Sequence, residues 1–433
     1  MAAGICRRGR ASPGGGRELA RHDAGAHPAA TRALIVVSHK GTSFGALAVP
    51  SRGDTASVAA GGIVFRLGKL FGLLGVVLLA GCASDAPLRD APPPRPADVR
   101  AQIVGLISSG IPDRAGWATD IYAALSALEI SPTPANICAV LAVVEQESTY
   151  RADPEVPKLG QIAWSEIDRR AERLGVPAAA VHLALKLPSS NGKSYAERID
   201  MVRTEKDLSL IFEDLIDRVP LGKRLFASWN PVRTGGPMQV GIAFAERHAQ
   251  ERSYPYPVPE SIRHEVFSRR GGLYFGIAHL LGYPANYDKL VYRYADFNAG
   301  HYASRNAAFQ NAVSVASGIP LDLDGDLVRR GDDDGKPGAT ELAVRSLARR
   351  LEMGNGAIRE ALEQGDGLAF ERSELYRRMF ELADRAERQP VPRAMLPRIV
   401  LKSPKITRKL TTEWFANRVD ERQRKCLARA AAT

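Results

Sequence analysis

The sequence predicts a mainly α fold, and three observations carry that expectation. Thr133-Pro134 supplies a helix N-cap followed by a first-turn proline, after which Ile137, Val140, Leu141 and Val144 recur on one helical face. Residues 271–281 are strongly apolar, the pattern of a buried helix. Alternation of period two, the mark of a half-buried strand, is scarce, and no internal repeat is present.

Taken in order, residues 1–62 are rich in Ala, Gly, Arg and Ser without sustained periodicity. They read as disorder or as a wrongly chosen start, with Val64 as an alternative start. Residues 63–82 have the form of a signal peptide. Arg66 and Lys69 lie at the head of the apolar run 70–80, which is too short to span a bilayer. Residues 83–98 contain Ala91-Pro92-Pro93-Pro94-Arg95-Pro96 and predict a semi-rigid tether. The globular part is expected to start near Val99 and to run to 334 as one helical domain. Its first motif helix ends near Ser148, before Pro154. A long insertion over 155–235 carries helical segments such as 194–216, and a further helix falls at 303–317. Residues 335–433 predict a charged helical C-terminal segment with Trp414 and Phe415 as packing anchors.

The formal charge of +11 invites a nucleic-acid reading, but residues 1–81 hold ten Lys/Arg against three Asp/Glu, leaving only +4 on residues 82–433. No basic module interleaved with aromatics is present, so a nucleic-acid partner is not expected. Of the four cysteines, Cys82 ends the signal and Cys6 lies in the first segment. Cys138 and Cys426 remain. In an oxidising compartment they would be free to pair and tie the C-terminus to the core. Two separate buried thiols is the preferred reading, because spacing alone does not bring them within bonding reach.

Three short stretches bear chemistry. Glu145 and Glu147 flank the apolar stripe of the helix that starts at Thr133, one at each edge. A carboxyl there is partly desolvated, which raises its pKa and keeps it protonated for general acid work. Periodicity separates the two poorly, but Glu147 sits at the helix end with the hydroxyl of Ser148 following. The plain alternative is a surface glutamate. Downstream, Gly236-Pro237-Met238-Gln239 sets glycine beside an adaptable apolar side chain and an amide. Further on, Phe297-Asn298-Ala299-Gly300 closes a helical segment with a polar side chain and a glycine. Each of the last two alone reads as an ordinary turn or helix end.

In this order, Glu-Ser, Gly-x-Met-Gln and Asn-Ala-Gly resemble the motifs of lytic transglycosylases and goose-type lysozymes. Residues 274–281 (Tyr-Phe-Gly-Ile-Ala-His-Leu-Leu) resemble the buried helix that precedes Asn-Ala-Gly in those enzymes. From about residue 100 to the end, the chain more closely resembles a family of proteobacterial lipoproteins known as domain of unknown function 1615. The resemblance implies a lysozyme-like, lytic transglycosylase-type helical domain over roughly 130–330, with a helical insertion and a helical C-terminal extension. It assigns Glu147 as the single general acid/base. Ser148 would orient it, Met238 and Gln239 would line the sugar subsite, Asn298 would position substrate or the acid, and Gly300 would shape the loop. The implied reaction cleaves the MurNAc–GlcNAc bond of peptidoglycan glycan strands. The substrate's acetamido group stabilises the cation, and the muramyl 6-hydroxyl closes a 1,6-anhydro ring. No cofactor and no metal are called for.

Two positions depart from the pattern. Pro237 stands where a Leu or similar residue is usual, and Phe297 stands where a Tyr hydroxyl commonly meets the acid, with Tyr292 and Tyr294 as substitutes. The long insertion is a third departure. These features support the alternative, a non-catalytic peptidoglycan-binding or envelope scaffold lipoprotein on a degenerate lysozyme-like fold. Leu79-Ala80-Gly81-Cys82 resembles a bacterial lipobox. That implies acyl chains on Cys82 buried in a membrane. Ala83, where an Asp would retain the protein at the inner membrane, implies the outer membrane, with the chain facing the periplasm.

Other signals are weaker. Asp322-Leu323-Asp324-Gly325-Asp326, with Asp333 at the twelfth position, has the start of a calcium loop but puts Leu327 where the sharp-turn glycine belongs. An acidic turn is the expectation there, and Asp332, Asp333 and Asp334 read as solvated linker. His248, His264 and His279 lack metal-ligand spacing, and His279 on its apolar helix reads as a satisfied core histidine. Asp296 is either a second carboxylate of the site or, preferentially, a solvated or capping residue. The loop Tyr254-Pro255-Tyr256-Pro257-Val258-Pro259 edges a glycan groove or is simply stiff.

Overall fold

The structure, a computed structural model, describes residues 95–329, 336–401 and 409–432 and is mainly helical. The signal segment, Cys82, residues 83–94 of the expected tether and Asp332, Asp333 and Asp334 lie outside the described residues. Helix α1 (Pro96–Leu106) starts at Pro96, inside the stretch expected as tether, where a proline costs nothing in the first turn. Helix α2 (Arg114–Ala127) opens on Asp113, whose carboxylate accepts from the Gly116 amide. Helix α3 (Pro134–Glu147) starts at the expected cap, Thr133 accepting from the Asn136 amide. Its apolar stripe is wider than periodicity suggested: every residue from 137 to 144 is buried, because other helices pack on it from several sides.

The insertion forms α4 (Leu159–Arg173), α5 (Ala178–Ala184), α6 (Tyr195–Met201), α7 (Glu205–Asp217) and α8 (Gly222–Phe226). The helix expected over 194–216 is two helices. Ser194 and Glu197 form a capping box that starts α6, Val202 is extended, and the Thr204 hydroxyl caps α7 by accepting from Asp207. These helices enclose their own small core around Leu159, Leu185, Tyr195, Ile199 and Ile211. The chain then makes a two-residue antiparallel pair, β1 (Thr234–Gly235) with β2 (Val240–Gly241), in the register Thr234 opposite Gly241. Helices α9 (Ile242–Glu251), α10 (Ile262–Val266), α11 (Arg269–Leu281), α12 (Leu290–Ala299) and α13 (Ala303–Ser317) follow. The last part holds α14 (Ala339–Ser346), α15 (Ala348–Leu351), α16 (Asn355–Glu363), α17 (Glu374–Glu387), the pair β3 (Val400–Leu401) with β4 (Leu410–Thr411), and α18 (Thr412–Ala431).

The hydrophobic clusters do not follow the expected division at 334/335. Helices α1, α2, α3, α11 and α12 share a core with Phe415, Ala416, Val419 and Cys426 of α18, so the last helix returns to the first core. Helix α13 instead joins α14 to α17, its Phe309 meeting Phe370 edge-on at 5.0 Å and stacking on Tyr376. As expected, Phe415 is buried and Trp414 packs beside it.

Asp296 joins the two cores. It is fully buried and accepts from the hydroxyls of Tyr283 (3.0 Å) and Tyr287 (2.6 Å) and from the amides of Tyr302 (3.0 Å) and Ser304 (2.7 Å). The last two contacts cap the start of α13, so the capping expectation holds and the solvated one does not. Burial raises its carboxyl above the ordinary value, although Tyr287, Ser304 and Tyr283 all donate to it.

Cys138 and Cys426 form a disulfide with their Cα atoms 5.5 Å apart, which overturns the reading of two separate thiols. The helices fix the pairing: α18 lies along α3, and the Gln423 amide donates to the Ala135 carbonyl (3.2 Å) one turn away. Replacing both cysteines by alanine is expected to lower stability by about 2–4 kcal/mol. Urea denaturation checks this, and the unaltered protein under reducing conditions should match the variant.

Candidate functional site

Glu147 is the last residue of α3, half-buried, and the backbone beyond it is unusual. Thr149 and Tyr150 both hold positive φ, at 50° and 58°. Non-glycine residues pay for that conformation, so the surroundings must hold it. Tyr150 meets Trp117 edge-on at 5.4 Å, and its hydroxyl donates back to the Leu141 carbonyl (3.4 Å). The turn is thereby pinned on α3. The structure also separates the two glutamates: Glu145 is exposed and pairs with Arg422 of α18 at 3.3 Å. The Ser148 side chain is engaged with backbone. Its hydroxyl donates to the Val144 carbonyl (3.1 Å) and accepts from the Arg151 amide (3.4 Å).

Gly236 to Gln239 form the turn between β1 and β2. Gly236 holds φ +73°, and a Cβ there would lie 2.1 Å from the Val266 carbonyl, so only glycine fits. Met238 does not line an open subsite: it is 0% exposed and packs on Gly276 of α11. Gln239 holds φ +50°, with its side-chain amide donating to the Gly236 carbonyl (3.3 Å).

Asn298 is buried at the C-terminal end of α12, and its side-chain oxygen accepts from the Thr412 hydroxyl (3.0 Å) at the first turn of α18. Gln146, beside Glu147, shares a small surface cavity with Trp414, Arg418 and Arg422 of α18. The first turns of α18 therefore run from Asn298 to the end of α3. Three buried polar atoms on residues beside α18 have no hydrogen bond among the described residues: Gln146 Oε1, Tyr294 OH and Asn298 Nδ2. Tyr294 is one of the two candidates, with Tyr292, to replace the hydroxyl missing at Phe297. Burial, with the nearby Asp420 carboxylate, raises its phenol.

Gly300 (φ +111°) lies elsewhere, on the wall of a cavity of about 840 Å³ between α13 and the loops that follow it. Phe244, Arg247, His279, His301, Asp322 and Asp366 also line it. Sequence reasoning gave no role to Phe244, Arg247, His301 or Asp366. They come from separate elements, and no local pattern joins them. His279 and His301 stack at 4.4 Å, and His301 Nε2 donates to the His279 carbonyl (2.8 Å). His279 is buried as expected, with the Phe297 backbone close to its ring and, among the described residues, no hydrogen bond of full geometry on either ring nitrogen. Burial holds His279 well below the ordinary histidine range and pushes His301 down to about 4, so both rings are neutral near pH 7. The acidic turn is a turn, as expected: Asp324 accepts from Gln310 (2.8 Å) and from the Asp326 amide (3.0 Å). Among the described residues, no group of three or more His, Cys, Asp or Glu is arranged to hold a metal. Tyr254 of the proline-rich loop turns inward, stacking on Phe275 and donating to Glu265 (2.7 Å), which fits the stiff-loop reading.

The family model described as protein of unknown function (DUF1615) matches residues 110–429. The chain belongs to the DUF1615 family. A relative from Escherichia coli (strain K12), called uncharacterized protein YaiW, is 56% identical over 355 residues, covering 82% of this chain and 96% of the relative. No solved structure is a significant match. Among the described residues, no helix is long and apolar enough to cross a membrane.

The two neutral histidines make stability fall with acid. Their folded pKa values lie below the ordinary 6.5, so the unfolded chain binds more protons as the pH drops through that value. For His301 the loss runs from about pH 6.5 down to about 4. His279→Phe removes one of the two titrating rings and is expected to shrink the difference in urea stability between neutral and acid buffer. An unchanged difference would show that His279 is not a source of that dependence.

Proposed function

We propose that this protein is a peptidoglycan lytic enzyme with Glu147 as its single general acid/base. It would cleave the MurNAc–GlcNAc bond, by transglycosylation, on a lysozyme-like arrangement of α3, α11 and α12. One observation carries the reading: each of the three motif stretches contains, or is followed at once by, backbone at positive φ. Thr149 and Tyr150 follow Glu147, Gly236 and Gln239 bound the Met-Gln turn, and Gly300 ends the Asn-Ala-Gly stretch. Such positions cost stability and concentrate where side chains must be aimed. A half-buried carboxyl on a rigid helix end is placed for proton donation to a leaving glycosidic oxygen. It would then take the proton of the muramyl 6-hydroxyl as the anhydro ring closes. Gln239 and Asn298 would contact the sugar or the acid once α18 yields Asn298.

A second reading is favoured by how engaged the helper residues are. Met238 is sealed, the Ser148 hydroxyl is used within α3, and Thr412 occupies Asn298. A chain with those positions closed would bind glycan strands without cutting them. In either case we place the protein at the outer membrane, held by acyl chains on Cys82 and facing the periplasm. The Cys138–Cys426 disulfide suits an oxidising compartment of that kind.

Two experiments test these points. The chain carrying Cys82→Ser, incubated with murein sacculi, is expected to release anhydromuropeptides detectable by mass spectrometry. Glu147→Gln should cut that release by about 100-fold or more with the fold retained. Sacculus binding with no soluble product would support the second reading instead. Separately, labelled palmitate should enter the unaltered protein in a bacterial host and not the Cys82→Ser variant. Equal labelling of both would end the anchoring proposal.

A further inference from the structure

The inserted helices α4 to α7, with the stretch from Trp229 to Thr234, surround a cavity of about 560 Å³, a volume in the usual range for small-ligand sites. Its interior is aliphatic, with Leu159, Ile162, Ile167, Leu185, Ile211 and Leu215 among the walls. Its mouth is apolar and open, because Leu174, Val176 and Trp229 line the cavity while remaining 60%, 41% and 46% exposed. Nine of the thirteen exposed large apolar side chains among the described residues lie between Leu174 and Trp229. Three of them, Leu174, Val176 and Trp229, meet at this one cavity, and apolar side chains exposed around an apolar cavity mark a binding site.

The charge at this opening has one sign in excess. Arg169, Arg170, Arg173 and Arg233 line the cavity against Glu166 and Glu205. Glu166 is shared by Arg169 and Arg170, the latter at 2.6 Å, and Arg170 also donates to the Trp229 carbonyl (2.7 Å). Among the described residues, neither Arg173 nor Arg233 is in an ion pair within 4 Å; Arg233 donates to the Ser228 carbonyl (2.6 Å), and Glu246 acts on it from further away. The C-terminal end of α4 explains why a cation suits position 173. It does not explain Arg233, which lies outside that helix. Partial desolvation and the like charges of Arg170 and Arg263 disfavour the Arg233 cation, with Glu246 acting the other way. An anion at the mouth would relieve that repulsion, and guanidinium groups bind carboxylate and phosphate in paired hydrogen bonds.

We propose that this cavity is a binding site for an anionic amphiphile, one acyl chain bearing a carboxylate or phosphate head. The chain lies among the aliphatic walls, and the head sits against Arg173 and Arg233. Each methylene buried contributes roughly 0.8 kcal/mol, so the chain supplies affinity and the arginines select the head group. The site is independent of Glu147 and of any action on glycan.

The test uses the full chain with Cys82→Ser, so that it carries no acyl group of its own. Palmitate, hexadecyl phosphate and neutral hexadecanol, each below its aggregation limit, compete for a fluorescent fatty-acid probe. Palmitate and hexadecyl phosphate should saturate at one per chain. The double variant R173Q/R233Q, which breaks no ion pair, should weaken both by about tenfold or more and leave hexadecanol unchanged. A163W, which fills the cavity, should remove binding of all three while circular dichroism shows the fold intact. If A163W unfolds, the arginine variant decides alone. No saturable binding, or binding indifferent to the arginine variant, overturns the proposal. Binding to phosphatidylglycerol vesicles with none to monomeric palmitate also overturns it, and assigns the apolar surface to a bilayer.

Discussion

The return of α18 to the first core is the constraint on which the candidate site depends. Phe415, Ala416 and Val419 enter the same cluster as Ile137 to Val144 of α3 and Tyr294 to Phe297 of α12. The disulfide Cys138–Cys426 fixes one end of this packing, and the Thr412–Asn298 hydrogen bond fixes the other. Without α18, α3 would expose one side of a helix buried all round, and Asn298 would lose the partner of its side-chain oxygen. A helix so placed also bounds whatever approaches Glu147 from that side. The three buried polar atoms beside it, on Gln146, Tyr294 and Asn298, lack hydrogen bonds among the described residues. Each such atom costs about 1–3 kcal/mol if left dry. A ligand or ordered water reaching this corner would recover part of that cost, which makes the junction more than a packing seam.

The strained backbone at the motifs adds to this. At Thr149 and Tyr150 the chain leaves α3 through two consecutive left-handed residues, and Trp117 and the Leu141 carbonyl hold Tyr150 there. A turn built from relaxed conformations would leave Glu147 free to swing with the loop. This one makes the direction of the helix end a property of the core. Gly236 does the same for the hairpin, which can approach α11 only because Gly236, Gly272 and Gly276 leave room for Val266, Pro237 and Met238. Pro237, a departure from the expected motif, thus has a structural role: its ring lies against the bare backbone of Gly272.

What could be read from the sequence was local. The Thr133 cap, the buried helix around residues 271–281 and the helix at 303–317 follow from caps, apolar runs and period, which a single segment carries. The break between α6 and α7 escaped because Ser194 and Thr204 are both good caps inside one apolar pattern. The disulfide escaped because it joins residues 288 apart, and only the packing of α18 on α3 brings them together. The engagement of Ser148 and Asn298 and the sealing of Met238 were invisible for the same reason. Motif order names residue types, whereas hydrogen-bond partners such as Thr412 come from elsewhere in the chain. The paired histidines and the large cavity likewise rest on side chains from several elements.

The insertion shows how a chain can carry so many residues between two motif stretches without disturbing either. Its first residues are drawn to the link between α6 and α7 by the Glu155–Thr204 bridge and by the Val156 amide donating to the Arg203 carbonyl (2.9 Å), so α4 to α6 close on themselves. The entropy of closing a loop grows only slowly with its length, so a segment that builds its own core adds little burden to the host. Leu208 still touches both this small core and the first one, and Asn230 ties α7 to the start of the hairpin, its amide donating to Ser209 (3.0 Å) and its oxygen accepting from Val232 (3.0 Å). The insertion is therefore seated, not tethered. It can expose apolar side chains around its own cavity because the stability of the motif helices does not depend on burying them.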